Sequence, residues 1–195
     1  MHNSKRQLEV ITGCMYSGKT EELIRRLERV RIAQGTVLLF KPTIDDRYSE
    51  NAVMTHYGRE FSAHLLPPGE ETLETLDRIV GRSAIEDAAV IAFDEGNFFS
   101  NLLPDLCETL VGMGKRVIVA GLDQTFAGEP FEPMPTLLAL ADHVAKLQAV
   151  CVKCGGVATR SQRLIDGAPA PKDGPVIQVG GVGTYEARCR KCHQA

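Results

Sequence analysis

Gly13-Cys14-Met15-Tyr16-Ser17-Gly18-Lys19-Thr20 fits G-x-x-x-x-G-K-[ST] at every fixed position. The pattern has a physical reason. Gly13 and Gly18 lack a Cβ, so the backbone turns tightly there and comes close to a ligand. The loop amides then face inward, and the positive end of the following helix adds to their pull on phosphate oxygens. Lys19 reaches the β- and γ-phosphates of a nucleotide, and the Thr20 hydroxyl is placed for Mg²⁺. All eight residues, Cys14, Met15, Tyr16 and Ser17 included, are therefore candidates for the phosphate site.

The pattern needs a strand before it and a helix after it, and both are present. Leu8-Glu9-Val10-Ile11-Thr12 reads as an apolar strand feeding Gly13. Beyond Thr20, Leu23, Leu27 and Val30 fall at i, i+4 and i+7 with Ile24 beside them, which is one helical face. Arg25, Arg26, Arg29 and Arg31 occupy the rest of that helix. With Glu21 and Glu22 four residues before Arg25 and Arg26, they read as a solvated face and not as a nucleic-acid patch.

The chain has 195 residues, enough for one substantial α/β core and a small appendage. Its net charge of −3 argues against a protein built to grip nucleic-acid polymers, but not against a small nucleoside. No apolar run is long enough to cross a bilayer, and no apolar stretch follows Met1-His2-Asn3-Ser4-Lys5-Arg6 as a signal peptide requires. Of six cysteines, four form two C-x-x-C pairs and Cys14 and Cys107 stand alone. That is metal-site spacing in a reducing compartment, and the expected location is the cytoplasm.

Strand and helix patterns then alternate. Strands are expected at 36–41, 90–93, 116–120 and 144–150, and helices at 70–88 (one or two), 102–113 and 135–142. Residues 49–69 read as a short hairpin or mobile loop around Tyr57-Gly58-Arg59, with His56 and His64 left at the surface. The alternation implies a three-layer P-loop (RecA-like) α/β domain with a mainly parallel sheet over residues 1–150, joined to a small zinc-binding domain over 151–195. In such a sheet ligands bind at the carboxyl ends of the strands. The phosphate loop, Asp94-Glu95 and Gly121-Leu122-Asp123 all fall there.

Val90-Ile91-Ala92-Phe93 ends in two acids, the arrangement a phosphate-loop protein needs to hold Mg²⁺. Asp94 is the candidate for the ion, with Thr20, and Glu95 for the general base. Gly96 and Asn97 extend the phosphate site, and Phe98 and Phe99 are expected to pack on the sheet edge. Arg47, in the polar run after Pro42, either projects toward the phosphates or makes a surface salt bridge. If the base activates water the protein is an NTPase; if it activates a substrate hydroxyl it is a kinase. The motif alone leaves both open.

Cys151-Val152-Lys153-Cys154 and Cys189-Arg190-Lys191-Cys192 bring four thiolates to one tetrahedral Zn²⁺, a closed and structural site. Either Cys192 or His193 is the fourth ligand, and Cys192 preserves the C-x-x-C spacing. The Gly- and Pro-rich excursion between the pairs is read as a lid pinned by the metal, with Tyr185 near its end.

These stretches together resemble the type II thymidine kinases over nearly the whole chain. The resemblance rests on the phosphate loop with Glu22-Leu23-Ile24-Arg25-Arg26, on Asp45-Asp46-Arg47-Tyr48-Ser49, and on Asp94-Glu95-Gly96-Asn97-Phe98-Phe99. It continues through Gly121-Leu122-Asp123-Gln124-Thr125-Phe126, Gly128-Glu129-Pro130-Phe131, both cysteine pairs and Val179-Gly180-Gly181 before Tyr185. It implies transfer of the γ-phosphate of ATP to the 5′-hydroxyl of thymidine, with Glu95 as base. It also implies a thymine pocket lined by Phe126 and bordered by Met15 and Leu122. Val176, Ile177, Gln178, Val179 and Gly180 would read the base through the main chain, and Tyr185 would complete the closure. A homotetramer inhibited by dTTP is implied by the resemblance alone. Cys14 stands where proline is common, Asn97 where glutamine is frequent, and Gln124 is also unusual for the family. A thiol at Cys14 is expected to make activity sensitive to oxidation. The runner-up is a RecA-like P-loop ATPase, which would share the loop and the acids but act on a polymer. A zinc-knuckle module for single-stranded nucleic acid is disfavoured by the acidic balance.

Overall fold

Side chains alternate between two buried faces of one sheet, as a parallel sheet covered on both sides requires. The computed structural model describes residues 6–43, 52–54, 60–175 and 184–194. Strand β1 (Gln7–Thr12) leads to helix α1 (Lys19–Ile32) and β2 (Thr36–Pro42). A hairpin of β3 (Ala52–Met54) and β4 (Glu60–Ser62) precedes β5 (His64–Leu66). Then come α2 (Leu73–Val80), α3 (Arg82–Asp87), β6 (Ala88–Phe93), α4 (Leu103–Gly112), β7 (Arg116–Gly121), α5 (Met134–Leu140) and β8 (His143–Lys146).

The six-stranded sheet runs β5-β2-β6-β7-β1-β8, and every pairing in it is parallel. Leu8, Val10, Leu38, Phe40, Ile91, Phe93, Val117 and Val119 share one face with Leu76, Ile85, Leu106, Leu110 and Leu137 of α2–α5. Ile11, Leu39, Val90, Ala92, Ile118 and Ala120 share the other with Leu23, Ile24 and Leu27 of α1. The three layers expected from the alternation are present. Helix α1 is tied down by charge as well as packing: Arg26 donates to Glu9 at 2.6 Å and to Glu22 at 2.9 Å. Burial pushes the Glu9 carboxyl up, but hydrogen bonds from Arg116, Gln7 and Arg26 outweigh it and hold the group below its ordinary range.

Four details differ from the sequence expectation or sharpen it. The hairpin at 52–62 forms, but residues 64–66 also join the main sheet as its edge strand beside β2. The 70–88 pattern is two helices, broken at Gly81, whose φ is +84°. The expected strand 144–150 splits. Leu147 donates its amide to Thr12 O at 2.7 Å, after which β9 (Ala149–Val150) pairs antiparallel with β10 (Val157–Ala158). The first cysteine pair is the turn between β9 and β10. Finally, the described residues of the excursion between the pairs contain a small sheet. Strands β11 (Arg160–Ile165), β12 (Ala168–Pro169) and β13 (Tyr185–Arg188) run antiparallel in the order β12-β11-β13.

Candidate active site

The phosphate loop turns between β1 and α1 on backbone conformations that its residues explain. Gly13 has φ +148° and Gly18 φ +85°. A Cβ on Gly13 would lie 2.5 Å from Leu147 O and 2.7 Å from Ser17 Oγ, so no larger residue fits. Tyr16 takes φ +64° and its side chain stays exposed. Ser17 N donates to Cys14 O at 3.3 Å, and the Lys19 ammonium folds back onto the same carbonyl at 3.0 Å. The Ser17 hydroxyl is buried and meets no hydrogen-bond partner among the described residues. Leaving such a group unpaired costs about 1–3 kcal/mol, which a phosphate oxygen at the loop would offset.

Across the sheet, the Thr20 hydroxyl donates to Asp94 Oδ2 at 3.3 Å. Asp94 is buried at the end of β6, its amide bonded to Phe40 O and its Oδ1 accepting from Glu95 N at 3.0 Å. Glu95 sits in the left-handed region, φ 52° and ψ 43°, and opens a 3₁₀ turn over Gly96–Phe98. That backbone costs a residue with a Cβ about 1–2 kcal/mol. Gly96 packs against β7, where a Cβ would fall 2.6 Å from Val119 Cγ1. Asn97 is buried and accepts from Leu122 N at 2.8 Å, so its amide joins the acidic loop to the end of β7. Its Nδ2 meets no partner among the described residues. Phe99 packs edge-on against Phe93 of the interior strand β6, and Phe98 edge-on against Phe131 in the loop after β7, so the two rings pack on the core and on that loop and not on a sheet edge.

The third wall is the turn after β7. Thr125 N donates to Glu129 O at 2.8 Å, Gly128 N to Thr125 O at 3.0 Å and Phe131 N to Asp123 O at 3.1 Å. Phe126 at its tip is buried, with the Arg163 guanidinium carbon 5.0 Å from the ring centroid. Arg163 and Tyr185 are register partners in β11 and β13, so their side chains leave the sheet on one face. The Gln124 side-chain carbonyl accepts from Arg160.

The sequence candidates therefore gather in part. Residues 13–20, Asp94–Asn97, Leu122, Phe126 and Tyr185 are placed around the carboxyl ends of the sheet and the strands packed beside them. Arg47 and residues 176–180 lie outside the described residues. Cys14 is buried, its thiol donating to Ala158 O at 3.5 Å, and burial raises its pKa. Its sulfur packs with Cys151 and Ala158, away from solvent.

Three participants are not among the residues that the sequence assigns to the nucleotide or nucleoside site: Ser161 and Arg163 carry no local signal, and His193 is singled out only as an alternative zinc ligand. Ser161 accepts the Met15 amide at 3.0 Å, Arg163 covers Phe126, and His193 Nε2 donates to Phe126 O at 2.8 Å. The strand Arg160–Ile165 reads as polar, yet Ser161, Gln162 and Arg163 are all buried. They are covered by parts of the chain distant in sequence, which no local pattern encodes.

The sulfurs of Cys151, Cys154, Cys189 and Cys192 all lie within 4.8 Å of one another, with Cys154 and Cys189 at 3.7 Å. A tetrahedral zinc with Zn–S of about 2.3 Å places sulfurs about 3.8 Å apart, so the set is compatible with zinc. Backbone hydrogen bonds, from Cys189 first and then from Lys153 and Cys154, outweigh burial and pull the Cys151 thiol down to about 6. His193 lies outside the set, turned to Phe126.

Among the described residues no helix is long and apolar enough to cross a membrane. A solved structure, the flagellar accessory protein FlaH from Methanocaldococcus jannaschii, matches with a TM-score of 0.49 and 13% identity over 78% of this chain and 75% of that one. A protein described as thymidine kinase from Halobacterium salinarum (strain ATCC 29341 / DSM 671 / R1) is 48% identical over 186 residues, 95% of this chain and 93% of its own. Another so described, from Haloquadratum walsbyi, is 45% identical over 211 residues, 95% of this chain and 94% of its own. The thymidine kinase family model matches residues 6–193. A match of that extent, with relatives this similar along both chains, means that the chain belongs to the thymidine kinase family.

Proposed function

We infer that this protein is a thymidine kinase that moves the γ-phosphoryl group of ATP to the 5′-hydroxyl of thymidine, giving dTMP and ADP. Family membership supports the substrate pair. The observation that carries the assignment to residues is the meeting of Thr20 and Asp94 at 3.3 Å, with Glu95 next in the chain. In this reading the loop of residues 13–18 holds the phosphates through the amides not already given to Ser161 and to Cys14 O, and Lys19 neutralises the transferring group. Thr20 and Asp94 would hold Mg²⁺, which screens the phosphate charge when bound. Glu95 accepts the proton of the 5′-hydroxyl as that oxygen attacks phosphorus. Gly96, Asn97 and Arg47 complete the phosphate side. Phe126 lines the thymine pocket with Met15 and Leu122 at its border, and residues 176–180 with Tyr185 close over the base.

The four cysteines would hold a structural zinc, and residues 1–150 and 151–195 form the nucleotide-binding and zinc-binding units. Inhibition by dTTP, a homotetramer and a cytoplasmic location belong to the same proposal. A coupled ADP-release assay across the nucleosides tests it, with Glu95→Gln as control. Thymidine-dependent turnover that Glu95→Gln abolishes is expected. ATP turnover indifferent to thymidine would favour an NTPase instead, and full activity in Glu95→Gln would remove Glu95 as the base.

A further inference from the structure

We propose that His193 is a positioning residue for Phe126, joining the second cysteine pair to the nucleoside pocket, and is not a ligand of the metal. The inference rests on the assignment of Phe126 to that pocket. His193 is fixed at its backbone by the cysteine turn: its amide donates to Cys189 O at 3.0 Å, beside the Cys192 amide on the same carbonyl at 3.1 Å. Its ring is not part of the four-sulfur cluster, and its Nε2 reaches Phe126 O at 2.8 Å. A carbonyl only accepts, so Nε2 carries the proton.

The same ring flanks the turn that presents Phe126. A Cβ on Gly128 would lie 3.8 Å from His193 Cε1, and Gly128 itself needs φ +79°. Phe126 is thereby held at both ends, its carbonyl by His193 and its ring by Arg163 at 5.0 Å. Both holding groups come from the region pinned by the cysteines: Arg163 from β11, His193 from the knuckle. The backbone of the turn is closed by Thr125 N to Glu129 O and Gly128 N to Thr125 O, and Asn97 and Arg160 hold its first residues, Leu122 and Gln124. The ring angle of Phe126 is therefore set from outside its own loop.

Two substitutions separate the donor from the bulk. His193→Phe keeps a flat ring and loses the N–H; His193→Gln places an amide nitrogen at nearly the same reach. For His193→Phe we expect KM for thymidine to rise about tenfold, as losing one hydrogen bond to a buried carbonyl implies. KM for ATP should stay within about twofold, and zinc content should equal that of the unaltered protein. Hydrogen exchange of the Thr125, Gly128 and Phe131 amides should quicken about fivefold or more. His193→Gln should return both KM and exchange toward the parent. Unchanged exchange and KM in His193→Phe would overturn the proposal, as would loss of zinc in either variant. Absence of thymidine phosphorylation by the unaltered protein would instead overturn the functional reading, because the exchange measurement does not depend on it.

Discussion

Thr20 Oγ1 stands 3.3 Å from Asp94 Oδ2, although β7 runs between the two strands that lead to them. A hydroxyl–carboxylate bond of that length is weak, since such bonds usually measure about 2.7–2.8 Å. Its value lies in function more than in stability. Thr20→Ala should lower the rate about 100-fold and raise the Mg²⁺ concentration for half-maximal rate, while costing about 1 kcal/mol of stability or less. Thr20→Ser should stay near the parent. A magnesium titration beside a thermal melt checks both; a stability loss large enough to explain the rate would contradict the assignment.

Glu95 combines a proposed chemical role with a backbone that disfavours it, φ 52° and ψ 43°. Glycine adopts that region without steric cost. Glu95→Gln and Glu95→Gly should both lose nearly all thymidine phosphorylation. They should differ in stability, with the glycine variant about 1 kcal/mol the more stable, because it relieves the left-handed strain. Chemical denaturation of the two side by side measures this. A glutamine variant as stable as the glycine one would mean that the loop holds the conformation at no cost.

The thiols should divide sharply under alkylation. Cys14 and Cys107 are buried, and burial pushes both thiols up and disfavours their thiolates. Cys154 is exposed. Iodoacetamide on the folded protein, with metal chelated, should label Cys154 and leave Cys14 and Cys107 unmodified until denaturant is added, as peptide mass analysis would reveal. Rapid labelling of Cys14 would restore the oxidation-sensitive phosphate loop that its sequence position suggests and its burial disfavours.

Acid should remove one identifiable contribution from α1. The Arg25 side chain hydrogen-bonds Glu22 at 2.6 Å and, with Arg26, lowers the Glu22 pKa from 4.5 to about 2. A pKa depressed in the folded state stabilises above the unfolded value and stops doing so as the pH falls through the folded one. Glu22→Gln should therefore cost on the order of 1 kcal/mol at pH 7, given solvent screening. The difference should shrink below pH 4.5 and vanish near pH 2. Denaturation midpoints of parent and variant across that range check the sign.

The sheet was legible because its strands are buried on both faces and its helices carry apolar residues in phase. Leu23, Leu27 and Val90–Phe93 announce themselves without tertiary context. The phosphate loop and the acids were legible because their chemistry needs particular residues at fixed spacing. Strand β5 was not, since three residues beside β2 carry too little pattern. Nor was β11, where Gln162 and Arg163 are buried through partners such as Gln194, Arg188 and Phe126. His193 was read beside the metal because it adjoins Cys192; only the direction of its ring assigns it to Phe126.

The cramped space at Gly13 has a genetic corollary. What would collide with an added methyl is chiefly the carbonyl of Leu147, a part of the polypeptide that no codon change can shrink. Trimming a neighbouring side chain relieves crowding elsewhere in a core, but not there. A search for second-site suppressors of Gly13→Ala should accordingly recover reversions to glycine and nothing else, leaving this position closed to compensated drift.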